Sequence, residues 1–239
     1  MNDATPSPNP ETRPPLEIGF LLFPGIQQLD LTGPYEVFAT LPGTRIHLVA
    51  AQHGPVRSVT GLPLMPTATF AECPPLDVVC VPGGLGMLAL LEDEATLAFL
   101  RRQAAGARFV TAVCTGALVL GAAGLLRGRR ATTHWALHDA LAAFGAIPVA
   151  ERVVRDGSVV TGGGVTAGID FALTLAAELA DPVDAEAVGL LLEYAPAPPF
   201  ASGRPETASP AILARCAAWM EADRAEAEAR IAAAARRAA

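Results

Sequence analysis

Short apolar runs alternate along the chain with stretches in which apolar residues recur every three or four positions. Leu16–Phe23, Arg45–Gln52, Asp77–Val81, Arg108–Val113, Ala131–Trp135 and Ser158–Thr161 predict strands, several of them apolar on successive residues. That pattern belongs to strands covered on both faces. The helical spacing predicts helices over Gly33–Leu41, Asp93–Ala105, Gly116–Leu126, Trp135–Phe144, Ala167–Leu179 and Ala185–Tyr194. Such alternation builds βαβ units, so the fold class is α/β: a doubly wound, mostly parallel sheet with helices on both faces. Between Ile147 and Val160 the pattern changes, and Asp156-Gly157 between two Val-rich runs predicts a small antiparallel hairpin.

The two ends read differently from the middle. Residues 1–15 hold five prolines together with Asp3, Glu11 and Arg13, which predicts a disordered tail and not a signal peptide. A catalytic domain is expected over 16–205, and a C-terminal helix over 206–239, docked on the domain or on a dimer partner. Its apolar stripe, Ile212, Cys216, Trp219 and Met220, fades toward an alanine-rich end. From Phe109 to Leu126 eighteen residues carry no charge, the length of a membrane span. Thr111, Cys114, Thr115 and three glycines interrupt that run, and a buried strand turning into a buried helix accounts for it better.

A net charge of −7 argues against nucleic-acid or anionic-membrane binding. The basic residues are all arginine, and neither GxGxxG nor GxxxxGK[ST] is present, so no phosphate-binding loop and no nucleotide cofactor are expected. Cys73, Cys80, Cys114 and Cys216 form no CxxC pair and read as thiols of a cytoplasmic protein. His134 and His138 are one helical turn apart, but HxxxH without an adjoining acid or a third ligand is a weak motif, and no metal is expected.

In open α/β sheets ligands bind beyond the carboxyl ends of the strands. Asp30, Pro82-Gly83-Gly84, Cys114, Trp135 and Gly162-Gly163-Gly164 follow predicted strands and would share that edge. Cys114 falls where FVTAV passes into GALVLGAAGLL, which places its thiol at the apex of a tight turn above a helix N-terminus. That setting lowers a thiol pKa and makes a nucleophile; the alternative is a small buried apolar cysteine. Asp30, in IQQLDLTGP, is either a helix N-cap or a partly desolvated acid beside the thiol. Gly83 and Gly84 would let backbone N–H groups approach developing negative charge, and TGGG at 161–164 is either a second such turn or a plain one.

These residues resemble the ThiJ/PfpI superfamily, relatives of the class I glutamine amidotransferase domain, over about residues 16–200. Within it GFLLFPGIQQLDLTGPYEVFA, CPPLDVVCVPGG, VCTGALVLGAAGLLRGRRATTHWALH, ERVVRDGSVVTGGGVTAGIDFALTLAAEL and LEYAPAPPF are most similar to the members that hydrate isonitriles. The resemblance implies a flavodoxin-like sandwich, a homodimer, no cofactor, Cys114 as nucleophile and Asp30 as its acid; in that chemistry the backbone N–H groups of Gly84 and Thr115 are expected to steady developing charge. Most relatives have Glu where this chain has Asp30, and peptidase-like members have His where it has Thr115. VCTGA and ATTHW also resemble the ligand-sensing half of AraC-type regulators, and a glyoxalase- or deglycase-like stress enzyme would use the same pair.

Overall fold

The computed structural model describes residues 14–238; most of the expected 1–15 tail therefore lies outside the described residues. Seven strands form the central sheet: β1 (Leu16–Leu21), β2 (Thr44–Ala50), β5 (Ala68–Thr69), β6 (Val78–Val81), β7 (Phe109–Val113), β10 (Val153–Asp156) and β11 (Val159–Gly162). Their order is β10-β11-β7-β6-β1-β2-β5. Every pair is parallel except β10 with β11, a hairpin whose two-residue loop begins at Gly157 with φ 61°. β6 and β7 are buried at every position, as central strands sandwiched between helices must be.

The helices fall into two groups. α1 (Gln28–Thr40), α5 (Ala167–Leu179) and α6 (Pro182–Leu191) pack together. α2 (Met87–Leu90), α3 (Glu94–Ala104), α4 (Gly116–Ala122) and α7 (Pro210–Ala238) form the other group. Phe20, Phe38 and Phe171 join β1, α1 and α5 in the core, with Phe38 and Phe171 edge-on at 6.2 Å between centroids. Two small sheets complete the fold, β3 (Val56–Arg57) antiparallel to β4 (Pro63–Leu64), and β8 (Arg130–Ala131) parallel to β9 (Ile147–Pro148).

Apart from the edge strand β5, which the pattern does not predict, the sheet, the hairpin and the division of Phe109–Leu126 into strand and helix match the sequence pattern, and no helix among the described residues is long and apolar enough to cross a membrane. Three other elements differ. The expected strand Ala131–Trp135 ends at Ala131 and lies outside the central sheet. Its next residues bond elsewhere: Thr132 N–H donates to Thr161 Oγ1 at 2.9 Å and Thr133 Oγ1 donates to the Cys114 carbonyl at 2.7 Å. Trp135–Phe144 is a 3₁₀ helix interrupted at Leu137, with His134 as its N-cap.

The second difference is α1, which starts five residues before Gly33, so Asp30 lies in its first turn. The third is α7, which docks through its C-terminal half and not through the expected stripe. Ala227, Ile231, Ala234 and Ala235 are buried against the domain, whereas Trp219 is 74% exposed. Small alanines let the helix approach closely, and the bulkier stripe is left at the surface.

Phe171 holds α5 against α1 with no exposed surface. Phe171→Ala is expected to lower unfolding free energy by about 3–5 kcal/mol, the cost of emptying an aromatic site in a packed core. Urea denaturation followed by circular dichroism measures it.

Candidate active site

The carboxyl edge of the sheet gathers what the sequence placed there, Trp135 excepted. Cys114 sits between β7 and α4 at φ 55°, a left-handed conformation rare for residues other than glycine. Hydrogen bonds to other loops hold it: its N–H donates to Gly162 O at 2.9 Å, and its carbonyl accepts from Thr133 Oγ1 at 2.7 Å. Gly116 lets the turn be this tight, since a Cβ there would lie 2.0 Å from the Val81 carbonyl oxygen. The residue is 5% exposed.

Asp30 is fully buried. Its side chain does not cap α1: the N-cap position is Gln27, and the Asp30 carboxyl turns to the neighbouring loop, where Oδ2 accepts from Gly83 N–H at 2.8 Å. Oδ1, like Gln28 Oε1, has no hydrogen-bond partner among the described residues. The polar group that interacts with this carboxyl besides Gly83 is the Cys114 thiol. Burial raises Asp30 to about 7, against the smaller opposing effects of the bonds from Gly83 and Cys114.

The thiol moves against the sequence expectation. Burial first, then the charge of Asp30, push Cys114 well above the ordinary thiol range, and hydrogen bonds from Thr115 only partly offset them. The helix beneath it is seven residues long, so its end supplies little compensating field. Burial thus opposes ionisation of the thiol, and Asp30 is the neighbouring group able to take its proton.

Glycines make this contact fit. A Cβ on Gly83 would lie 2.6 Å from both the nitrogen and Oγ1 of Thr115, and 2.8 Å from Asp30 Oδ2. Gly84 has φ 119°, and its N–H donates to Thr115 Oγ1 at 3.0 Å. The Gly84 N–H expected to face developing charge is thus engaged by Thr115, while the Thr115 backbone N–H interacts with the thiol. Thr133 was not read from the sequence as a site residue; its only signal was a polar TTH following the arginine-rich RGRRA.

The other candidates stand apart. Cys80 is fully buried in β6 and pushed to about 12, and burial takes Cys73 to about 11. His134 Nδ1 accepts from Ala136 N–H at 3.3 Å, a capping role. Among the described residues no group of three or more His, Cys, Asp and Glu is placed to hold a metal ion.

A model of the DJ-1/PfpI family matches residues 17–178, which span β1 through most of α5 and include both Asp30 and Cys114. The chain belongs to the DJ-1/PfpI family. An isonitrile hydratase of Pseudomonas putida is 66% identical over 198 residues, covering 83% of this chain and 87% of that protein. The crystal structure of a ThiJ/PfpI family protein from Pseudomonas syringae superposes with a TM-score of 0.88 at 44% identity, covering 98% of each chain. A transcriptional regulator of the HTH type, GbdR of Pseudomonas aeruginosa, is 32% identical over 73% of this chain, but this chain spans 50% of that regulator. The DJ-1/PfpI fold thus comes here with a buried thiol–carboxyl pair at its sheet edge.

A buried carboxylate weakens the folded state. Below about pH 4 the group is protonated whether the chain is folded or not; as pH rises toward 7 the unfolded chain releases the proton first, so stability falls and then levels off. Asp30→Asn is expected to be more stable than wild type at pH 8, by up to about 4 kcal/mol, the equivalent of moving a carboxyl from 3.8 to about 7. The gap should close toward pH 4. Denaturant titrations of both proteins at the two pH values measure it.

Proposed function

We propose that this chain hydrates isonitriles, R–NC, to N-substituted formamides through a covalent intermediate on Cys114. The observation that carries the reading is the buried Cys114–Asp30 pair in a chain 66% identical to an isonitrile hydratase. An isonitrile carbon accepts a nucleophile and must gain a proton as it does so, which requires both groups in one place. The end of R–N≡C is linear and a single carbon wide, suited to a thiol that is 5% exposed.

With one proton on the pair, Cys114 sulfur bonds to the terminal carbon and the proton passes through Asp30 to that same carbon. The product is a thioimidate, R–N=CH–S–Cys114, with Asp30 ionised. Asp30 then takes a proton from water as the hydroxyl oxygen bonds to the carbon, and returns it to nitrogen. Collapse breaks the C–S bond, releases R–NH–CHO, and sends the hydroxyl proton back to the pair. One water is consumed and no electrons are exchanged, so the reaction requires neither cofactor nor metal. The Thr115 N–H, directed at the sulfur, favours the thiolate as it attacks and as it leaves. Gly84 acts at one remove, by holding the Thr115 hydroxyl.

We read the working form as a cytoplasmic homodimer. Val183, Leu190 and Leu191 of α6 are 72–81% exposed, a cost in water that association would relieve. A sensor reading has less support. α7 runs unbroken from Pro210 to Ala238, so no helix-turn-helix follows the domain among the described residues.

Mass spectrometry of the purified protein mixed with an alkyl isonitrile tests this. Wild type is expected to release formamide, and Cys114→Ala neither formamide nor adduct. Asp30→Asn should lose about 10²–10⁴-fold in turnover, the worth of a positioned acid and base. Wild type that leaves isonitriles untouched yet converts a dicarbonyl or a glycated amine would move the reading to the glyoxalase or deglycase class.

A further inference from the structure

A second polar cluster surrounds the segment that follows Gly162, whose carbonyl accepts the Cys114 N–H. Arg152, just before β10, donates from Nε to Asp170 Oδ2 at 2.8 Å, and from Nη2 to the carbonyl and Oγ1 of Thr166 at 3.1 and 3.2 Å. The same Asp170 oxygen accepts from the Tyr194 hydroxyl at 3.0 Å. The Arg152 backbone joins in, since its carbonyl accepts from Gly163 N–H at 2.9 Å. Residues 163–166 are thus gripped from both sides over one short stretch.

That stretch connects both members of the reactive pair. On one side Gly162 O accepts the Cys114 N–H. On the other, α5 meets α1 at its closest approaches: a Cβ on Gly168 would lie 2.8 Å from Pro34, and one on Gly33 would lie 3.1 Å from Ile169. α1 carries Asp30 in its first turn. A shift at the start of α5 therefore bears on Cys114 through Gly162 and on Asp30 through α1. Tyr194 reaches the cluster because Glu193 takes a left-handed φ of 46°; Cys114 is the only other non-glycine with positive φ among the described residues. Backbone strain of this kind persists only where the surrounding structure enforces it, and here it places Tyr194 on Asp170.

We propose that Arg152, Asp170 and Tyr194 are positioning residues, a latch that fixes the start of α5 and through it the register of Cys114 against Asp30. The proposal rests on that pair being the reacting one. None of the three touches substrate; they act by keeping the thiol and carboxyl aligned, so their loss lowers the chemical step more than binding.

Tyr194→Phe removes one hydroxyl, and Asp170→Asn weakens both the arginine and the tyrosine bonds while keeping the shape. Each is measured for melting temperature, for kcat and KM with an alkyl isonitrile, and for the rate at which iodoacetamide alkylates Cys114. The expected result is a fall in kcat of about tenfold with KM within about twofold, since small misalignments act on the reacting step. Alkylation of Cys114 should change at least threefold, with melting within a few degrees of wild type. If both variants keep wild-type kcat and alkylation rate, or lose activity only in proportion to lost folded protein, the latch is overturned. A wild type without formamide production would instead remove the isonitrile reading, and the alkylation rates would still decide the latch.

Discussion

Two ionisable groups buried side by side cannot both be charged at ordinary pH, and the site depends on that constraint. Asp30 and Cys114 are removed from water together, so each resists losing its proton and the charge of either one opposes ionisation of the other. Near neutral pH the thiol keeps its proton while the carboxyl beside it is the group that titrates. A thiol on a short helix would otherwise rely on the helix end for activation; here the carboxyl supplies the base and later the acid. The same burial that weakens the fold gives the site its chemistry.

The scaffold enforces the contact with backbone rather than with long side chains. Gly116 brings the β7–α4 turn against the Val81 carbonyl, and Gly83 fits between Thr115 and Asp30 where no Cβ could stand. The parallel order β11-β7-β6-β1 sets the loops bearing Gly162, Cys114, Gly83 and Asp30 side by side. Each loop then bonds to the next: Gly162 O to Cys114 N–H, Gly83 N–H to Asp30 Oδ2, and Gly84 N–H to Thr115 Oγ1. Because these bonds run between loops following different strands, the geometry of the pair reports on the whole carboxyl edge.

The reactive turn was legible because its signal is local: an apolar strand, one cysteine and an apolar helix with no residues spare between them. The parallel core was legible for the same reason, since β6 and β7 are apolar at successive positions. What escaped depended on partners distant in sequence. Thr132 and Thr133 were read inside a strand, but their bonds go to Thr161 and Cys114. Gly33 and Pro34 looked like a helix start, yet α1 begins earlier and Asp30 faces Gly83 instead of capping it. The elevated thiol pKa also lay beyond the sequence, because burial outweighs a seven-residue helix and burial is a property of the assembled fold. In α7 the bulky apolar residues sit in the half left more exposed, while the docked half, with Ala227, Ile231, Ala234 and Ala235, reads as alanine-rich, so side-chain size misled where closeness of approach decided.

The central claim, that Asp30 is a buried carboxyl paired with the Cys114 thiol, is tested most directly by infrared difference titration of protein carrying ¹³C-labelled aspartate, with Asp30→Asn identifying the band. The account predicts a carboxyl that titrates near 7 in wild type. In Cys114→Ala it should titrate higher still, because the hydrogen bond from the thiol, which favours the carboxylate, is gone. An Asp30 band that titrates near the ordinary carboxyl value of about 4 in both proteins would contradict it.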